Sequence, residues 1–318
     1  MEQAKRIALV LGATGGIGGE VARRLVARGW HVRALQRNPV ALTNRNTAFE
    51  WIRGDAMVRE DVVGAAQGAE LIIHAVNPPG YQNWAGLVLP MIDNTIAAAR
   101  ASGARIVLPG TVYNFAPDTF PVLRETTPQA PLTRKGKIRA ELERRMQAAS
   151  ADGVRSLIVR AGDFFGPQTS NTWFAGALVK PGRPVRTVTH PGAAGIGHQW
   201  AYLPDVAETM LRLVEQGDRL PDFAVYHMHG HWDADGTQMA ASIGRAVGYP
   251  VKTRAFPWWL MPALTPFSEM LREMREMRYL WQHPVRMDNA KLVQALGAEP
   301  HTPWDEAVGA TLRSLGCR

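Results

Sequence analysis

The stretch Leu11-Gly12-Ala13-Thr14-Gly15-Gly16-Ile17-Gly18 decides how the rest of the chain is read. It follows the apolar run Ile7 to Leu11 and opens a segment in which Ile17, Val21 and Leu25 recur at helical spacing, with Gly29 at the C-cap position. A buried strand, a glycine turn and a helix in that order build an anion site. The first glycine permits a tight turn, the middle one lets backbone amides approach a pyrophosphate, and the last lets the helix pack close to the sheet. The helix dipole and its unpaired N–H groups favour the negative charge. Gly12, Thr14, Gly15, Gly16, Ile17 and Gly18 are therefore expected around a dinucleotide, the alternative being a glycine-rich turn with no ligand.

Outward from this turn, strands and helices alternate. His31 to Leu35 reads as the second strand. An acid after that strand suits the ribose hydroxyls of NAD, and an arginine suits the 2′-phosphate of NADP. From His31 through Phe49 there is no acid, and Arg33 and Arg37 stand where the ribose would lie, so NADP(H) is expected over NAD(H). Phe49 to Ile52 and Leu71 to Val76 read as the third and fourth strands. The loop Asn77-Pro78-Pro79-Gly80 should pass beside the nicotinamide ribose, which brings Ala75 and Val76 into the cofactor set. A helix with Ile92, Ile96 and Ala99 on its inner face precedes a fifth strand, Arg105 to Leu108, and Val154 to Val159 reads as a sixth. The expected fold class is α/β, a Rossmann-type doubly wound parallel sheet with a smaller C-terminal lobe.

Composition sets the outer bounds. With 318 residues, 46% hydrophobic and 20% charged, the chain has the makeup of a globular protein with a large core. The net charge of +8 comes from scattered basic residues and no nucleic-acid module is visible, so an anionic small ligand is expected and nucleic acid is not. The single cysteine, Cys317, forbids an intrachain disulfide and suits a reducing cytoplasm. Met1 to Arg6 lacks the apolar region of a signal peptide, and no stretch reaches the ~18 apolar residues that a membrane span needs.

The spacing Gly12-x-x-Gly15-x-x-Gly18 resembles that of the extended and atypical branches of the short-chain dehydrogenase/reductase superfamily. The resemblance implies a Rossmann domain over residues 1–167, completed by a returning segment 201–217, and a substrate-binding lobe from 168–200 and 218–318. Asp55 matches the acid that usually contacts the adenine; as a plain turn residue it would look the same. Extended members end a serine-rich turn in Val-Tyr, here Val112 and Tyr113. The serine slot falls on Pro109, leaving Thr111 as the nearest hydroxyl for catalysis or for the turn. They also carry Tyr-x-x-x-Lys on the following helix, where the tyrosine shuttles a proton and the lysine anchors the ribose. Aligned on Lys137 and Glu141, the tyrosine slot here holds Thr133.

Isoflavone-reductase-like members lack that tyrosine and start the helix on a lysine-rich run similar to Lys135-x-Lys137-Ile138-Arg139, in which a lysine performs the proton chemistry. Lys135 and Lys137 lie about 200° apart around a helix, so only one can face the cofactor. Both flank the stripe Ile138, Leu142 and Met146; the spacing to Glu141 favours Lys137, and the alternative is that both are solvated cations. Arg160-Ala161-Gly162 through Gly166-Pro167 is similar to the segment with which extended members leave the sheet.

Farther on, Asn171 to Trp200 reads as loops over the reactive end of the cofactor. Asp205 and Glu208 read as a capping box opening a helix whose Val206, Met210, Leu213 and Val214 return to the main sheet. His227, His229 and His231 alternate along an expected strand, but no acid or cysteine nearby completes a ligand set, so no metal is expected. Phe256 to Met261 and the stripe Met270, Met274, Met277 suggest core, a lid or a homodimer contact. The expected function is NADP(H)-dependent oxidation or reduction of a carbonyl or conjugated bond in a small-molecule substrate. Lys137 or Lys135 would move the proton and Thr111 or Tyr113 orient the substrate. The alternatives are a sugar-nucleotide epimerase or dehydratase, and a non-catalytic NADP(H) sensor acting through a partner protein.

Overall fold

A computed structural model describes residues 5–40, 47–78, 83–169, 172–265 and 269–317, the side chains of 264, 269 and 270 excepted. The apolar runs form the middle of a seven-stranded sheet because they are buried on both faces, as parallel strands are. Its strands are β1 (Ile7–Leu11), β2 (His31–Gln36), β3 (Glu50–Arg53), β4 (Leu71–His74), β5 (Arg105–Gly110), β7 (Ser156–Arg160) and β11 (Phe223–His227). They lie in the order β11-β7-β5-β4-β1-β2-β3, every pairing parallel, and the order reverses between β1 and β4. A crevice at that reversal is where this sheet type takes a ligand. The two-residue β6 (Val122–Leu123) pairs with β14 (Arg286–Met287) outside this sheet.

Helices cover both faces. On one side α1 (Gly16–Ala27) and α5 (Leu203–Val214) pack Val21, Leu25, Val206, Met210 and Leu213 into one core with β1 and β4 residues. Arg24 of α1 and Arg28 just past its end join them across the surface by ion pairs to Glu208 at 2.8 Å. On the other side α2 (Arg59–Ala65), α3 (Trp84–Ser102) and α4 (Arg134–Ser150) bury Val62, Ile92, Ile96, Ile138, Leu142 and Met146.

The lobe is built from β8 (Asp163–Phe165), β10 (His198–Tyr202) and β12 (His231–Asp233) in one sheet, β9 (Thr187–His190) with β13 (Lys252–Ala255) in another, and α6 (Gln238–Val247), α7 (Met261–Leu264), α8 (Glu269–Glu276) and α10 (Trp304–Ser314), whereas α9 (Ala290–Leu296) returns to the main sheet and buries Leu292 in its core. Its core gathers Phe165, Phe174, Trp200, Met239, Ile243, Trp281 and Val308. Where the chain crosses from the main sheet to the lobe, the Glu299 carboxylate accepts the backbone N–H groups of His229 (2.8 Å) and Gly230 (2.7 Å) and the Asn289 amide (2.9 Å).

Three expectations change. The stretch 218–318 supplies β11 to the main sheet, so it does not belong to the lobe alone. The capping box does not form: α5 starts at Leu203, Asp205 lies inside the first turn holding Thr302, and Glu208 faces arginines. The three histidines share no strand, since His227 ends β11 in the main sheet and His231 begins β12 in the lobe.

Candidate active site

The glycine turn sits at the end of β1 against the backbone that continues β4. Gly12 has φ +92°, and a Cβ there would stand 2.5 Å from the Ala75 carbonyl oxygen; a Cβ on Gly18 would stand 2.3 Å from the Gly12 oxygen. Any side chain at either position would drive these two layers apart, so the sequence is bound to glycine by packing as well as by turn geometry. Ala75 continues the ladder by donating to Leu11 O at 2.9 Å, and Val76 packs partly buried behind it. Gly15 is the N-cap of α1 with no side-chain cap, and the first turn carries no acid. Its amides are thereby left for an anion. Thr14 and Gly15 are exposed at the mouth, Ile17 packs on the core, and Gly16 lies beside Leu203.

At the adenosine end the two arginines part company. Arg33 is spent on structure: its guanidinium meets Glu50 at 3.3 Å and donates to the backbone oxygens of Ala65 and Gln67, at the end of α2. It lies in mid-strand, away from the strand ends where a ribose would sit, which corrects its place in the cofactor set. Arg37 follows the end of β2, exposed and with no side-chain ion pair among the described residues. Arg53, which sequence reading passed over, ends β3 in register with Gln36 and is likewise exposed. Asp55 folds back on its own turn, its Oδ1 accepting the Met57 N–H at 3.0 Å.

The reaction end forms where α4 starts beside the end of β4. Thr133, in the slot expected for tyrosine, is the helix N-cap, its Oγ1 accepting the Gly136 N–H at 3.0 Å. Gly136 lets the Tyr113 carbonyl close in; a Cβ there would stand 2.2 Å from that oxygen. The preference between the lysines reverses. Lys137 is exposed, whereas the Lys135 side chain is 3% exposed, with Nζ 5.3 Å from the Trp84 ring centroid and 3.2 Å from Glu273 Oε2. Burial pulls the Lys135 pKa below that of an ordinary lysine, and the Glu273 carboxylate of α8 offsets part of this. Arg139, one turn along, also faces Trp84 at 5.3 Å and reaches Asn77 Oδ1 at 3.4 Å. Pro79 and Gly80 of the loop beyond Asn77 lie outside the described residues.

Behind this surface runs a fully paired polar network. Thr111 Oγ1 donates to Asn114 Oδ1 at 2.8 Å, and the Asn114 amide donates to Gln129 and Glu143, each at 2.9 Å. Arg160 holds both Glu143 oxygens, at 2.9 and 2.7 Å, and also the Thr111 carbonyl. The Thr111 proton is thus committed within the turn, and Tyr113 packs its ring between two apolar clusters. His74 and His227 stay neutral, burial and a neighbouring arginine (Arg139 and Arg160 respectively) pushing both down to about 3. Where α5 meets the lobe, Asp205, His231 and His301 bring ligand atoms within 4.8 Å of one another. The Asp205 carboxylate and His231 Nε2 are engaged in holding the chain at Thr302.

Residues 12–172 match a sequence family described as NAD(P)H-binding. The chain is 33% identical over 318 residues to a 3-diazoavenalumate denitrifying reductase of Streptomyces sp, covering 95% of this chain and 98% of that one. It belongs to the extended, atypical branch of the short-chain dehydrogenase/reductase superfamily. This short-chain dehydrogenase/reductase is also 34% identical over 173 residues to the dTDP-6-deoxy-L-talose 4-dehydrogenase (NAD(P)(+)) of Kitasatospora kifunensis, covering 49% of this chain and 52% of the other. In fold it is similar to MoeE5 in complex with UDP-glucose and NAD, with TM-score 0.75, 17% identity and coverage of 97% and 98%. The UDP-glucuronic acid 4-epimerase of Bacillus cereus in complex with UDP-glucuronic acid and NAD gives the same TM-score at 15% identity, again over 97% and 98% of the two chains. The relatives named reductases and dehydrogenases make this an NAD(P)-binding oxidoreductase by family. Among the described residues, no helix is long and apolar enough to cross a membrane.

Proposed function

We propose that the protein is an NADP(H)-dependent reductase of a small, electron-poor substrate, a carbonyl or conjugated compound with an aromatic part. The observation that carries this reading is the buried Lys135 ammonium beside Trp84, on the helix where relatives keep a tyrosine. When bound, the dinucleotide supplies a hydride. The chain's part is to hold its diphosphate on the amides that open α1, to keep a proton on Lys135 Nζ, and to release that proton to the substrate atom that gains negative charge. A lysine whose pKa is lowered by burial is a better acid than one in water, and Trp84 keeps solvent off it. The substrate would lie under the lobe, near Phe120, which stacks on Tyr279, and the Trp173–Trp258 pair. Arg37, assisted by Arg53, supports the choice of NADP(H).

The whole-length likeness to a denitrifying reductase favours reduction over epimerisation, and it adds aryl diazo compounds to the aldehydes, ketones and enones worth testing. The test is NADPH consumption across that panel with the wild type and Lys135→Met. Turnover lost with Lys135→Met supports the reading. A folded protein that saturates with NADPH and turns over nothing, while holding a partner protein, points to the sensor instead. Equal binding of NADH and NADPH removes the role given to Arg37.

A further inference from the structure

We propose that Arg139 is the residue that grips the nicotinamide ribose, so that Lys135 and Arg139 together occupy the two stations that the superfamily fills with tyrosine and lysine. The proposal rests on the dinucleotide reading above and extends it to a residue which the alignment on Lys137 passes over. Three residues at successive steps of four, Lys135, Arg139 and Glu143, run along the face of α4 turned inward: Lys135 and Glu143 are buried and Arg139 half-buried. The set two residues earlier, Thr133, Lys137 and Glu141, holds a helix cap, an exposed cation and a carboxylate engaged by Arg144 and Arg145 on the surface. Only the first set is turned inward, with Lys135 and Arg139 both over Trp84 and Glu143 in the network behind them.

Arg139 is then placed by its neighbours. Its guanidinium reaches the Asn77 amide oxygen at 3.4 Å, three residues past the end of β4, and lies 5.3 Å from the centroid of the buried Trp84 ring, the first residue of α3. Its Nε is buried and, among the described residues, has no hydrogen-bond acceptor. An enclosed N–H of a permanent cation costs stability unless something accepts from it. At this point of a doubly wound sheet the acceptor that arrives is a ribose hydroxyl of the dinucleotide's second nucleotide. A guanidinium offers paired donors to a diol and keeps its charge at every working pH, whereas a lysine would be a point charge able to titrate beside a second lysine.

The experiment measures binding, not turnover. Affinities for NADPH and for adenosine 2′,5′-bisphosphate, which lacks the nicotinamide half, are determined for wild type, Arg139→Met, Arg139→Gln and Lys137→Ala, with NADH and ADP as the parallel pair. Loss of about ten- to hundredfold for NADPH in the Arg139 variants, with the bisphosphate unchanged, is the expected result. The unchanged fragment also shows that the variant is folded, and Arg139→Gln carries the test if Arg139→Met does not fold. Unaltered NADPH affinity in an Arg139 variant, or a loss seen in Lys137→Ala and not in Arg139→Gln, overturns the assignment and leaves the cofactor reading intact. A wild type that binds neither dinucleotide nor either fragment overturns both.

Discussion

Two buried ion pairs sit on the same helix and are built to opposite rules. Glu143 and Arg160, 5% and 2% exposed, share two contacts, and the carboxylate takes further donors from Asn114 and Gln129 while Arg160 reaches His227. Lys135 and Glu273, 3% and 10% exposed, meet at 3.2 Å across the boundary between main sheet and lobe, the ammonium donating to the carboxylate. The first pair is saturated and local, which is how a buried charge is made tolerable. The second is strained in the electrostatic sense, with a lysine whose proton is held less tightly than in water. The difference separates the part of α4 that holds the fold from the part proposed to do the chemistry.

The contrast can be broken most forcefully at Lys135. Lys135→Met is expected to lower turnover by about 10²–10⁴, the usual worth of a positioned proton donor, and steady-state kinetics with NADPH would show it. Wild-type turnover should also fall as pH rises through the lowered lysine pKa, at lower pH than an ordinary lysine would give. Retained activity with a flat profile would mean that the strained pair is merely structural. Glu143→Gln should cost about 3–5 kcal/mol in urea unfolding, because it strands the Arg160 charge. A cost below that of Glu273→Gln would erase the distinction.

Smaller effects sharpen the same picture. Burial and neighbouring cations hold His74 and His227 at about 3, and burial with His301 holds His231 at about 4, against an ordinary 6.5. The unfolded chain takes up these protons below 6.5 and the fold does not. Stability is therefore whole above 6.5 and drains as pH falls toward 4, by up to about 1.4 kcal/mol per pH unit for each histidine, as a series of unfolding curves would record. Glu208 gives a second acid-labile contribution. Burial pushes its pKa up, but Arg28, Arg212 and Arg24 outweigh this and hold it at about 2 against 4.5. What it adds is present above 4.5 and lost on the way to 2, and Glu208→Gln should cost about 1–2 kcal/mol at neutral pH. Lys137→Ala should change stability by less than about 0.5 kcal/mol.

The sheet was legible because its signals are local. Apolar runs, the glycine turn and the helical recurrence of Ile17, Val21 and Leu25 each follow from a handful of adjacent residues, and β1, α1 and β2 appear where they were expected. The seventh strand was hidden, since Phe223–His227 joins the sheet only after a long excursion through the lobe, which no short window reports. Arg33 misled for the same reason: its partners Glu50, Ala65 and Gln67 come from other elements. The reversed lysines are different, because the signal was there. At about 100° per residue, Lys135 lies within ~60° of Ile138, Leu142 and Met146, and Lys137 stands on the far side. Motif spacing points to Lys137, and the apolar stripe points to Lys135. Glu273 had no such signal, arriving from a helix more than a hundred residues away.

The Glu299 clasp on the crossing at His229 and Gly230 bears on how a substrate gets in. A crossover held by three donors on one carboxylate is a poor swivel between the main sheet and the lobe. Admission is left to what lies over Lys135, namely one short helix with charged residues along its outer side.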